Sequence, residues 1–256
     1  MEIDVLSSDD RSLRFILKDG NPSLANALRR VMTSEVPVLA IEDVEFIENS
    51  SSLYDEVLAH RLGLIPIKTD LSVLNFRDEC KCESGCPSCQ VEFTLKKKGP
   101  AIVYSDDLKS TSKTMKPLPG IPLVKLGKKQ AIELKATAVL GTAKEHAKWQ
   151  PAVVGYKYYP RITISERCTR CGDCVEACPR KILVVKKDKL TVTDEKECIL
   201  CRACMDACGE EAITVEGDDK TFIYEVESTG GLEPIEIATR SCDILMGKAQ
   251  ELASRL

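Results

Sequence analysis

Residues 21–46 read NPSLANALRRVMTSEVPVLAIEDVEF, a helical pattern that hands over to a strand pattern. Asn21 suits an N-cap, and Pro22 suits the first helical position, where a missing N–H costs nothing. Leu24, Ala27, Leu28, Val31 and Met32 recur at three- and four-residue steps on one face. Pro37 lies two residues past Glu35 and helps to stop the helix. Residues 38–48 then have strand character. Arg29 and Arg30 flank the apolar stripe, where the plain reading is a solvated edge.

Moving outward, the alternation in LRFIL (13–17) predicts a half-buried strand. YDEVLAHRLGLIPI predicts a second helix with Gly63 as its C-terminal stop. His60 sits inside it without a nucleophile or acid nearby in sequence, so a packed or hydrogen-bonded histidine is expected. Residues 91–97, 131–140 and 153–164 have strand character. The polar, proline-punctuated run DDLKSTSKTMKPLPGIP, from Asp106, predicts a surface loop. TFIYEVES (221–228) returns to strand, and Pro234 opens a long final helix. On that helix Ile235, Ala238, Cys242, Leu245, Ala249 and Leu252 form a sustained apolar face. Such a face must be buried against something, the chain itself or another subunit. Cys242 reads as a small packed hydrophobe on it.

The chain has 13 cysteines in 256 residues, and all but Cys242 fall into groups of four. Cys168, Cys171, Cys174 and Cys178 follow C-x2-C-x2-C-x3-C, with Pro179 next. Cys198, Cys201, Cys204 and Cys208 repeat that spacing, with Gly209 in place of the proline. The shoulders repeat too, KILVV after the first set and EAITV after the second. Each tight loop presents three thiolates to one cuboidal cluster, and the fourth comes from the other repeat. One 4Fe–4S cluster is thus expected on Cys168, Cys171, Cys174 and Cys208, the other on Cys198, Cys201, Cys204 and Cys178; a 3Fe–4S form of either is compatible with the spacing. Paired structural zinc sites are the weaker alternative, because zinc knuckles supply two ligands each. Cys80, Cys82, Cys86 and Cys89, in KCESGCPSCQ, suit a closed tetrahedral zinc site, with Gly85 and Pro87 supplying the turns. An unmetallated loop, a disulfide or a third cluster are its alternatives.

The bulk numbers narrow the function. With 36 basic and 40 acidic side chains the net charge is -4, which argues against nucleic-acid binding driven by overall charge. Neither a signal peptide at the start nor a membrane-spanning apolar run is evident, so a cytoplasmic protein is expected. No G-x-G-x-x-G follows a strand, and no nucleophile–base pair can be argued, so no catalytic residue is assigned.

Two segments carry a resemblance. NPSLANALRRVMTSEVPVLAIEDVEF is similar to the assembly motif of the alpha-like subunits of multisubunit RNA polymerases, and DEVLAHRLGLIPI (55–67) to their second signature. The four-cysteine loop at 80–89 matches a zinc loop of eukaryotic and some archaeal relatives. The ferredoxin-like insertion points to the D subunits of archaeal polymerases. The resemblance implies an α+β chain. A discontinuous dimerisation domain would comprise 1–45 plus 220–256, an inserted domain with the zinc loop 46–164, and a ferredoxin-like domain with two 4Fe–4S clusters 165–216. It implies a scaffold that pairs with the L subunit and, with subunits N and P, forms a platform for the large catalytic subunits. Direct sequence-specific DNA binding is not implied. Leu24, Leu28, Arg29, Arg30, Val31, Leu245 and Leu252 become the expected partner-contacting residues. The repeat taken alone favours an electron-transfer subunit of an oxidoreductase; the flanking signatures reverse that preference.

Overall fold

The computed structural model describes residues 1–83 and 85–256. The fold is α+β. In chain order its strands are β1 (Glu2–Ser8), β2 (Ser12–Lys18), β3 (Val38–Asn49), β4 (Gln90–Lys98), β5 (Ala101–Tyr104), β6 (Lys109–Ser110), β7 (Pro122–Leu126), β8 (Ala131–Gly141), β9 (Ala152–Ile164), β10 (Leu183–Lys186), β11 (Lys189–Val192) and β12 (Ile213–Ser228). The helices are α1 (Pro22–Ser34), α2 (Asp55–Gly63), α3 (Asp173–Ala177), α4 (Ala203–Asp206) and α5 (Pro234–Arg255). The chain divides into two compact units, one of Met1–Ser7, Leu13–Ala27 and Gly155–Glu225, the other of Ser8–Ser12, Leu28–Val154 and Val226–Leu256.

The first unit holds the sheet β1-β2-β12-β9 and the hairpin β10-β11. β2 buries Leu13, Phe15 and Leu17, and Ile16 between them is buried as well, so the expected alternation breaks there and the strand is covered on both faces at that point. Phe15 stacks on Tyr224 with ring centroids 4.8 Å apart, and Tyr156 and Tyr158 continue the aromatic row to Phe222. Such pairs add directional attraction to the area they bury. Gly20 leaves room for that row: a Cβ there would meet the Phe222 ring at 3.3 Å.

The second unit is built on the sheet β3-β8-β4-β6, with β5-β7 as a separate pair. Val91, Phe93 and Leu95 alternate inward along β4, and Leu134, Ala136 and Ala138 do so along β8. Leu39 and Ile41 of β3 and Leu58 and Leu62 of α2 join the same core. Gly141 permits a close approach, since a Cβ there would lie 2.4 Å from the Trp149 indole. That ring is held by its N–H donating to the Val139 carbonyl at 3.2 Å.

Three expectations need correction. The run from Asp106 is not simply a surface loop. Leu108 and Met115 are buried in the core, and the buried Ser105 hydroxyl donates to the Leu118 carbonyl at 2.6 Å. Two anchored hydrophobes thus fold this polar segment back onto the sheet. His60 is exposed on α2 rather than packed, because Leu58 and Leu62 take the inward face. Gly63 is itself the last residue of α2, and Leu64 caps the helix in right-handed geometry, so no left-handed glycine cap forms.

Candidate metal centres and interface residues

The loop at 80–89 gathers its four sulfurs. Their Sγ atoms all lie within 4.8 Å of one another, the only such group among the described residues. Cys80 and Cys86 are 3.6 Å apart, Cys82 and Cys89 3.5 Å, and Cys86 and Cys89 3.8 Å. Four thiolates at zinc–sulfur bonds of about 2.3 Å span tetrahedron edges of about 3.8 Å. The local chain explains the gathering. Gly85 has φ +97°, and a Cβ there would collide with Gln90 Oε1. Gln90 is in turn held by Arg77. The Cys86 amide donates to Cys89 Sγ at 3.3 Å, as an amide does to a charged thiolate. The amide of Ser88 and the neighbouring thiols draw the Cys86 thiol down to about 7.

The eight repeat cysteines face two cavities. One is lined by Cys168, Cys171, Cys174 and Cys208, with Val185, Leu190 and Ile213. The other is lined by Cys178, Cys198, Cys201 and Cys204, with Ile162, Ile182, Leu183 and Val215. Each set combines three cysteines of one repeat with the last cysteine of the other. Burial raises the Cys174 thiol, and Cys168, Cys171 and Cys208 raise it further. Burial likewise pushes Cys204 up to about 11, with Cys198, Cys178 and Cys201 adding to it. Four crowded thiols repel a shared negative charge, and bound iron supplies the positive charge that reverses this.

The loop backbones follow the repeat. Arg170 and Leu200 are left-handed at matched positions, as are Gly172 and Arg202, and Lys181 and Glu211. Left-handed residues recur at the same points of both loops, the kind of backbone that can form a nest for an anion. No side chain closes the turn from above at Gly172 or Gly209, where an added Cβ would meet open space. The donor sets, their concave backbone and their apolar surround fit cuboidal iron–sulfur clusters.

The expected partner-contacting residues separate into two groups. Leu28 and Val31 are buried within the chain itself, together with Ala25, which the stripe did not include. They are spent on the interior, whereas Leu24 and Arg29 are half-buried and Arg30 is exposed. On α5 the chain covers Pro234, Ile237 and Ser241. The stripe adjoins that covered side, roughly a quarter-turn further round the helix. Ile235 is 50 % exposed, Met246 56 % and Leu252 61 %. Leu245 is half-buried, and Cys242 is exposed rather than packed. Sequence reasoning found the stripe but not Met246, which extends it at the same helical spacing. It also missed Lys157, whose ammonium donates to the carbonyls of Lys196 and Cys198; a single lysine in a strand carries no spacing signal. No helix of the described residues is long and apolar enough to cross a membrane.

Comparison with known proteins agrees with this geometry. Residues 44–154 match the RNA polymerase Rpb3/RpoA insert domain, and residues 167–213 match the 4Fe-4S dicluster domain, which spans all eight repeat cysteines. The region is therefore an iron–sulfur domain. DNA-directed RNA polymerase subunit Rpo3 of Methanothermobacter thermautotrophicus is 45 % identical over 98 % of this chain and 97 % of its own. The Rpo3 of Archaeoglobus fulgidus is 44 % identical over 98 % and 96 %, and that of Pyrococcus furiosus 38 % identical over 100 % and 97 %. Full-length similarity at this level leaves the electron-carrier alternative unsupported, and the chain belongs to the family of DNA-directed RNA polymerase subunit Rpo3.

Proposed function

We propose that this chain is a non-catalytic assembly subunit of an archaeal RNA polymerase, working in the cytoplasm. It pairs with the small L subunit, and with subunits N and P the pair forms the platform on which the large catalytic subunits assemble. The observation that carries this reading is the uncovered side of α5. Ile235, Cys242 and Met246 are exposed there at seven- and four-residue steps, with Leu252 exposed further along the helix, while the adjoining side is covered by the chain's own core at Pro234, Ile237 and Ser241. Burying each such side chain contributes about 1.5–3 kcal/mol, so a helix that leaves several in water is complete only with a partner. Leu24, Arg29 and Arg30 of α1, with Leu245, supply further contacts. The domains behind this role are 1–45 with 220–256 for pairing, 46–164 as the insert and 165–216 as the iron–sulfur domain.

The metals brace the scaffold. One 4Fe–4S cluster would be held by Cys168, Cys171, Cys174 and Cys208, the other by Cys178, Cys198, Cys201 and Cys204. Zinc would be held by Cys80, Cys82, Cys86 and Cys89. A domain this small buries little apolar area, and metal–thiolate bonding supplies folding free energy in its place. The test is co-purification from native cells with metal analysis of the same sample. The expected result is a polymerase containing this chain, with iron, sulfide and zinc. A monomer that associates with redox enzymes and no transcription subunit would overturn the reading.

A further inference from the structure

The two cysteine sets are anchored differently. Residues 196–198, which lead into and include Cys198, are gripped from three directions. Lys157 Nζ, on β9, donates to the Lys196 carbonyl at 2.5 Å and to the Cys198 carbonyl at 2.8 Å. Arg14, on β2, pairs with the Glu197 carboxylate at 2.7 Å. Arg180, two residues past Cys178, pairs with the same carboxylate at 2.6 Å, and its Nε donates to the Glu197 carbonyl at 3.3 Å. The segment before Cys168 has no counterpart of this grip. It continues directly from the end of β9; the Ser165 amide donates to the Ala212 carbonyl at 2.8 Å and Arg167 to the Glu211 carbonyl at 3.1 Å. Both acceptors belong to the shoulder of the second repeat, not to β2 or to the middle of β9.

We infer that Lys157 is a positioning residue that couples the second cluster, and not the first, to the sheet carrying β2 and β9. Its hydrogen bond to the carbonyl of Cys198 is one residue's backbone away from a metal-bound sulfur. Charge-assisted hydrogen bonds of this kind are about twice as strong as neutral ones. With iron holding the Cys198 sulfur, both acceptor carbonyls stay fixed and Glu197 stays between Arg14 and Arg180. When that cluster is lost, 196–201 is released, and a half-buried ammonium on β9 and a guanidinium on β2 lose their partners together. A charge left in a half-buried place without partners is costly, so the strands that carry it loosen. Loss of the first cluster removes no partner from either strand. This inference rests on the ligand assignment proposed above.

The test is hydrogen exchange read by mass spectrometry on the full chain, prepared without oxygen and with iron and sulfide measured in the same sample. Cys201→Ser is expected to speed exchange in residues 12–18 and 152–160 by about tenfold or more, and Cys171→Ser to leave those segments unchanged. Lys157→Met, with both clusters retained by electron paramagnetic resonance after reduction, should reproduce the loosening of Cys201→Ser. Lys157→Arg should restore protection. Should Cys201→Ser fail to fold, Lys157→Met carries the test, since it breaks the grip on the Lys196 and Cys198 carbonyls while both clusters stay in place. Equal effects of the two cysteine variants on β2 and β9, or an unchanged sheet in Lys157→Met, would overturn the inference. Fewer than two clusters in the wild-type chain would overturn the ligand assignment and the inference with it, an outcome separable by the iron and sulfide count.

Discussion

Lys248, on the last helix, forms an ion pair with Glu35 at the exit of the first, joining positions 213 residues apart in the chain. Lys144 pairs with the same carboxylate at 2.8 Å. Burial alone would raise the Glu35 carboxyl, but the two ammonium groups outweigh it and hold the group below the ordinary glutamate range. A carboxylate with a depressed folded-state pKa contributes stability that is fully present above its unfolded value, about 4.3, and is lost as pH falls through the folded value. Glu35→Gln is therefore expected to cost about 1 kcal/mol at neutral pH. The difference from wild type should vanish in acid, below the ordinary glutamate range. Denaturant unfolding across pH checks both points.

The Tyr224 hydroxyl donates to the carbonyl oxygen of Ala25 at 2.7 Å, between two groups that are wholly buried. Tyr224→Phe keeps the stacking on Phe15 and removes this bond, so a loss of about 1–2 kcal/mol is expected. Tyr224→Ala also empties the aromatic row and should cost about 3–5 kcal/mol. Thermal unfolding of the two variants separates the bond from the packing.

Much of this was legible in the residues themselves. Asn21 accepts the Leu24 amide at 2.9 Å, as an N-cap should, and Pro22 opens α1. The long alternating strands β4 and β8 announced themselves by period. β5, β6 and β7 did not, because two to five residues cannot establish a period. The repeat spacing predicts ligand sets that exchange Cys178 and Cys208; Cys208 lines the cavity of the first repeat's cysteines and Cys178 that of the second's. The stripe on α5 was visible, but its destination was not. Burial within a chain and burial against a second polypeptide leave the same periodicity; the structure covers Ile237 and Ser241 and leaves Ile235, Met246 and Leu252 exposed.

The turn at Gly172 has φ +94° and open space where a Cβ would go. Gly172→Ala thus meets no clash and tests conformation alone, with an expected cost of about 1–2 kcal/mol. At the matched position Arg202 already bears that strain, with φ +63°. Arg202→Gly is expected to stabilise the domain by up to about 1 kcal/mol. Cluster bleaching under a chelator should be faster in the first variant and slower in the second.

For the loop at 80–89, metal analysis of the purified chain should find one zinc per chain, removed by Cys86→Ser or Cys89→Ser. Gly85→Ala should also weaken zinc binding, since a Cβ would drive into Gln90 and the left-handed turn would be strained. Iron in the iron–sulfur domain should be unaffected by these changes.

The most direct measurement is pairing of the full chain with a purified L subunit, comparing wild type with Leu252→Asp. Leu252 is 61 % exposed in the chain alone, so the substitution should leave the chain's own stability within about 0.5 kcal/mol. The account predicts that wild type forms a one-to-one complex and that the variant binds at least about tenfold more weakly, the effect of placing a charge in an apolar contact. A wild-type chain that stays monomeric beside L, or a Leu252→Asp chain that pairs as well as wild type, would contradict it.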